Sequence, residues 1–132
     1  QRLGADITAT DHHPLAEEFL RFNSDMNGLP PIKFHNAQWA GPNPQLGRFD
    51  VIVGSDLLYE RGHPALLSGF LAFHTELTAR VILADPGRTR CGQFTNQMTT
   101  AGYTRTEERF RCIGEESSKP RGRMMNFARG QE

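Results

Sequence analysis

One stretch constrains the fold more than any other: Phe49-Asp50-Val51-Ile52-Val53-Gly54-Ser55-Asp56-Leu57-Leu58-Tyr59-Glu60. An apolar, β-branched run ends in Gly-Ser-Asp, and a Tyr follows three residues after the Asp. The run reads as a buried parallel strand. Its polar tail then sits at the strand's carboxyl end, where open α/β sheets bind their ligands.

The segments on either side extend this reading. Ala5 to Thr10 is short, β-branched and partly alternating, which predicts a strand. Pro14 suits the first position of a helix, with Glu17 and Glu18 favouring its dipole. Leu15, Phe19, Phe22 and Met26 form one apolar stripe on that helix, and Gly28 is its stop. Ile32 to His35 predicts a second strand, followed by a Pro- and Gly-rich loop carrying Trp39 and then the strand at Val51. Pro64 opens a second helix striped by Leu67, Phe70, Leu71, His74 and Leu77. Val81 to Ala84 is a short strand closed by Asp85-Pro86-Gly87, and a third helix runs from about Cys91 to Ala101. Tyr103 to Cys112 and Arg123 to Arg129 have no helix between them and predict an antiparallel hairpin at a sheet edge, linked by the charged segment Ile113 to Gly122. The order β-α-β-β-α-β-α-β-β argues an α/β fold: a mostly parallel sheet covered by helices on both faces.

Composition narrows the function classes. The 132 residues carry 15 basic and 15 acidic side chains, so the electrostatic footprint of a general nucleic-acid binder is missing. No apolar run reaches membrane-spanning length, and the N-terminus has no signal-peptide pattern. Cys91 and Cys112 have no metal-ligand spacing, and a reducing, cytoplasmic compartment is the expectation. The five histidines do not form a short ligand set either, so no metal is expected.

Several residues stand where chemistry is done. Asp11 lies between a strand and a helix, where a carboxylate accepts hydrogen bonds from ribose hydroxyls or caps a helix. His12 and His13 flank the same position. Trp39 either stacks on an adenine face or anchors its loop in the core. Ser55, Asp56 and Tyr59 lie at a strand end, where Asp56 and Tyr59 either line a polar pocket that orients an amine nucleophile, or Asp56 or Ser55 caps the strand and Tyr59 packs on the following turn. Asp85-Pro86-Gly87-Arg88 is a tight turn or part of a substrate rim, with Arg88 facing an acidic partner.

Taken together, Thr8 to Ala16, Phe19 to Asn23, Trp39, Phe49 to Glu60 and Ala84 to Arg88 resemble class I S-adenosylmethionine-dependent methyltransferases. The resemblance is to methyltransferase family 16, the lysine methyltransferase-like group, and most of all to bacterial members described as nicotinamide or protein N-methylases. That family's Asp-x-x-Tyr motif stands here as Asp56-Leu57-Leu58-Tyr59. The resemblance implies a Rossmann-like three-layer sandwich forming a single domain over residues 1–132. It also implies S-adenosylmethionine as cofactor and a protein or small-molecule amine, a lysine or an N-terminus, as acceptor. Asp11 would bind the cofactor ribose, with His12 beside it. Trp39 would border the adenine and Ser55 would lie near the cofactor. Asp56 and Tyr59 would shape the acceptor pocket.

One departure from the pattern qualifies this. The family opens with a strand and a Gly-rich turn that cradles the methionine end of the cofactor. This chain opens at Gln1-Arg2-Leu3-Gly4, which resembles the end of the helix after that turn, and it contains no Gly-x-Gly. A domain lacking the first strand is therefore expected, with weak cofactor binding, little activity alone, and self-association through an incomplete sheet. Two other classes remain open. One is a non-catalytic interaction module on the same scaffold. The other is a nicotinamide-dinucleotide enzyme, which the closing hairpin and the lack of a hydride-transfer constellation disfavour.

Overall fold

The computed structural model describes residues 3–111 and 120–130, so Cys112 and most of the charged link before Gly122 lie outside the described residues. The elements run in the expected order: β1 (Thr8–Asp11), α1 (Ala16–Met26), β2 (Lys33–Asn36), β3 (Phe49–Ser55), α2 (His63–His74), β4 (Thr75–Asp85), α3 (Cys91–Thr100), β5 (Thr104–Phe110) and β6 (Gly122–Arg129). The chain divides into two compact units, residues 1–46 and 47–132.

In the first unit β1 and β2 pair in parallel, with Thr8 opposite Lys33 and Asp11 opposite Asn36. α1 starts at Ala16, two residues after Pro14, so Pro14 belongs to the preceding turn. Glu17 and Glu18 occupy its first turn, as the dipole favours. At its other end Leu29 N–H reaches back to Ser24 O, and Gly28 takes a positive φ of 62°. The apolar stripe of α1 differs from a core face: Leu15, Phe19, Phe22 and Met26 are all exposed.

The second unit holds a four-stranded sheet in the order β3-β4-β6-β5. The sheet is mixed, which corrects the expectation of a mostly parallel one. β3 and β4 are parallel, whereas β6 runs antiparallel to both β4 and β5. The hairpin forms as expected, and of its two strands β5 lies at an edge. β3 forms the other edge, parallel to β4 as expected but with Val51 and Val53 exposed, which corrects the expectation of a buried strand. β6 inserts beside β4 because its Met125 and Phe127 stand opposite Leu83 and Val81 and share their buried face. Phe94 of α3 closes that face, its ring edge-on to Phe127 with centroids 5.4 Å apart. The α2 side chains Leu67, Phe70 and Leu71 are buried, and Pro64 stands in the first turn of that helix. Leu77, expected on the same stripe, is instead exposed in β4, because the chain passes from His74 straight into the strand.

The amino end of β4 is fixed by a polar knot. Thr75 is fully buried; its Oγ1 donates to Leu71 O and meets the Tyr103 hydroxyl at 2.9 Å. Arg48 and Arg129 both donate to Thr75 O, and the Arg129 guanidinium lies 4.9 Å from the Tyr103 ring centroid. These bonds satisfy groups that burial would otherwise leave costly. They hold β4 so that its other end, at Asp85, lies beside the end of β3.

Candidate functional site

The carboxyl end of β3 is shaped by close packing. A Cβ on Gly54 would stand 2.5 Å from Leu57 Cδ1 and 3.1 Å from Leu83 Cδ2, so glycine leaves room for Leu57 to fold back over the strand. Ser55 is the last residue of β3 and is exposed, opposite Ala84. The next residue, Asp56, donates its N–H to Ala84 O at 2.8 Å and turns with φ of 55°. It is the one non-glycine residue with positive φ among the described residues. Such strain persists where surrounding structure enforces it, and it concentrates at functional sites.

Arg88 supplies part of that enforcement. Its Nε and a terminal guanidinium nitrogen both reach Asp56 Oδ1, at 2.7 and 2.6 Å. Oδ2 takes neither bond. Arg88 is itself held by the turn after β4: Asp85 Oδ1 accepts the N–H groups of Gly87 and Arg88 at 2.8 and 2.7 Å. Gly87 has φ of 101°, and a Cβ there would stand 2.5 Å from Arg121 O, so the turn requires glycine. Asp85-Pro86-Gly87-Arg88 is therefore both a tight turn and a wall of the site.

Tyr59 lies under the same guanidinium, 5.9 Å from its ring centroid to Arg88 Cζ. The Tyr59 ring meets His63 edge-on with centroids 4.4 Å apart. His63 Nδ1 lies 2.7 Å from Leu57 O and 3.4 Å from Glu60 N, and Nε2 lies 3.5 Å from a Glu60 carboxylate oxygen. Tyr59 is thus braced on two sides. Leu58, Tyr59, Arg88, Arg90 and Arg121 line a cavity of about 500 Å³ at this strand end.

Behind this wall Cys91 is buried against Asp85. Burial first, then a hydrogen bond to the Asp85 carboxylate and its charge, push the thiol up to about 11. A protonated, enclosed thiol is a poor nucleophile.

The other candidates belong to the first unit. Asp11 ends β1 with its side chain about half exposed, and its Oδ1 accepts His13 N–H at 2.8 Å. His12 Nδ1 lies 3.7 Å from the same oxygen. Asp11 O accepts Ala37 N–H, which ties the Trp39 loop to the β1 end. Asn43 Nδ2 donates to Gln38 O and Gly41 O and shapes the loop, and Trp39 is half-buried. So Asp11, His12 and the Trp39 loop gather at one strand end, and Ser55, Asp56, Tyr59 and Arg88 gather at another.

Reading the residues alone missed His63, Arg90 and Arg121. His63 stands four residues after Tyr59, a helical spacing that hints at ring contact. Arg121 carries no such signal, because only the pairing of β6 with β4 brings it to Gly87. Among the described residues no set of three His, Cys, Asp or Glu side chains could hold a metal ion, and no helix is long and apolar enough to cross a membrane.

No protein-family model and no curated protein matches this sequence. Solved structures do resemble it. The methyltransferase domain of bacterial CtHen1-C superposes with a TM-score of 0.75 at 14% identity, over 99% of this chain and 80% of that one. The ribosomal protein L11 methylase of Lactobacillus delbrueckii subsp. bulgaricus gives 0.69 at 18% identity, over 98% of this chain and 61% of that one. The N-methyltransferase NodS of Bradyrhizobium japonicum gives 0.62 at 16% identity, over 94% and 73%. The chain therefore has the Rossmann-like fold of these methyltransferases.

Proposed function

We propose that this chain forms part of an S-adenosylmethionine-dependent methyltransferase acting on an amine, a protein lysine or N-terminus, and that the β3 end is its acceptor side. One observation carries the reading: Asp56, in strained backbone, is clamped by Arg88 beside a braced Tyr59 at the carboxyl end of a parallel strand, on a fold shared with methyltransferases. Fold alone does not choose an acceptor. The Asp56-Leu57-Leu58-Tyr59 motif argues for the amine.

The residues present fit the nucleoside end of the cofactor. The exposed Asp11 carboxylate keeps Oδ2 clear of the His13 bond, and a ribose diol needs an acceptor of that kind. Trp39, half-buried in the loop tied to Asp11, offers an indole face for adenine. The cofactor would supply an electrophilic methyl group. No Gly-x-Gly turn for its methionine end occurs in these residues, so the 132 residues by themselves are expected to bind it weakly.

The chain's own residues do the rest by positioning, which dominates a direct in-line displacement. Arg88 fixes Asp56 through Oδ1, and Oδ2 is placed to accept a hydrogen bond from the amine. That bond orients the nitrogen lone pair and assists loss of its proton. The Tyr59 ring, braced by His63 and Arg88, forms the wall along which the amine stem lies. The test is transfer of labelled methyl groups from S-adenosylmethionine to a cell lysate by the full-length gene product, with Asp56→Ala as control. Loss of labelling in the variant supports the reading, and undiminished labelling removes Asp56 from the role.

A further inference from the structure

The cavity at the β3 end has an unusual wall for a chain of zero net charge. Three arginines, Arg88, Arg90 and Arg121, line it, and among the described residues no acidic side chain does. Arg88 is committed to Asp56. Arg90 and Arg121 have no ion-pair partner among the described residues, although the same sheet pairs other arginines thoroughly: Glu107 alone engages Arg105, Arg109 and Arg123. α3 adds to the positive field. Its N-cap is Arg90 itself, no side chain caps its first N–H groups, and its first turn has no acid. Two guanidinium groups on the wall of an open cleft are suited to one or two carboxylates, since each presents a planar fork that matches that group. A polyphosphate backbone needs a longer basic track, which a neutral chain with a pI near 7.2 does not supply.

We infer that the acceptor amine is presented on an acidic polypeptide segment, with Arg90 and Arg121 receiving carboxylates that flank it while Arg88 stays on Asp56. This rests on the cavity being the acceptor side. Leu58, Pro86 and the Tyr59 ring then cover the apolar stem of the amine-bearing side chain, and Arg90 and Arg121 set which sequences enter.

The experiment uses two peptides, one with lysine between glutamates and one with the same lysine between glutamines, titrated by anisotropy into the full-length protein. At low salt the acidic peptide is expected to bind about five- to tenfold more tightly, and the margin shrinks as salt rises. The double variant Arg90→Gln/Arg121→Gln abolishes the margin, while Arg90→Lys/Arg121→Lys keeps most of it. An unchanged melting temperature shows that both variants fold. Equal affinities in the wild type, a margin that survives in the glutamine variant, or tighter binding of a short single-stranded RNA would overturn the inference. Methyl transfer, measured in parallel, separates it from the reading it rests on. Charge-selective binding without transfer upholds the anionic subsite and removes the methyltransferase reading. Transfer to both peptides with equal kcat/KM overturns the subsite and keeps that reading.

Discussion

Two strand ends in this molecule carry an aspartate followed by a turn, and they are built differently. Asp11 is held locally: its side chain bonds the N–H two residues on, and its neighbours are exposed. Asp56 is held from 32 positions away by Arg88, in left-handed backbone uncommon for a non-glycine residue. The difference follows from packing. Behind Asp56 lies a core in which Val81, Phe94, Met125 and Phe127 have essentially no exposed surface. Among the described residues of the first unit the buried ones are Ser24, Ala37 and Leu46, and the apolar stripe of α1 is exposed. A rigid support can hold a strained turn such as that at Asp56, whereas a lightly packed one leaves Asp11 to local hydrogen bonding.

Substitutions can break this contrast. The largest effect is expected in the second unit, where Phe127→Ala removes a ring packed on Phe94 and costs about 3–5 kcal/mol in urea denaturation. Phe22→Ala on the exposed stripe should stay within about 0.5 kcal/mol by the same measurement. Gly87→Ala forces a Cβ against Arg121 O at a positive φ and should cost about 1–3 kcal/mol, releasing Arg88 from its wall. Asp56→Gly should raise stability by up to about 1 kcal/mol, because glycine adopts that φ freely, while transfer is lost. A gain in one with loss of the other is the signature of strain kept for function.

The smallest effect is one of pH. The Cys91 thiol titrates at about 11 folded against an ordinary value of 9.0, so the folded state binds the proton more tightly. Its contribution to stability is complete below pH 9 and is lost as pH rises towards 11. Alkylation at pH 8 should therefore spare Cys91 until denaturant is added. Modification of Cys91 in the native protein, read by peptide mass, would contradict its enclosure.

Much of this architecture was legible in the chain. Gly28, Pro64, Gly102 and the acidic pair Glu17-Glu18 punctuate helices by local rules, and the Phe49–Ser55 run reads as a strand on periodicity alone. The sheet was less legible, because strand order is decided by nonlocal pairing: nothing near Gly122 to Arg129 says that β6 inserts between β4 and β5. The same limit hid part of the site. Asp56 and Tyr59 carry a motif, but the partnership of Arg88 with Asp56 and the arrival of Arg121 at Gly87 depend on β4 and β6 lying side by side. The stripe on α1 shows the converse, since helical spacing predicts an apolar face without saying what covers it.

The central claim is that the two aspartates have different tasks, cofactor holding at Asp11 and acceptor positioning at Asp56. It is tested most directly by steady-state methyl transfer in the full-length gene product with Asp11→Asn and Asp56→Asn side by side. The account predicts a raised KM for S-adenosylmethionine in the first and a lowered kcat with unchanged cofactor KM in the second. A fall in kcat alone for Asp11→Asn, or a change confined to cofactor KM for Asp56→Asn, would contradict it.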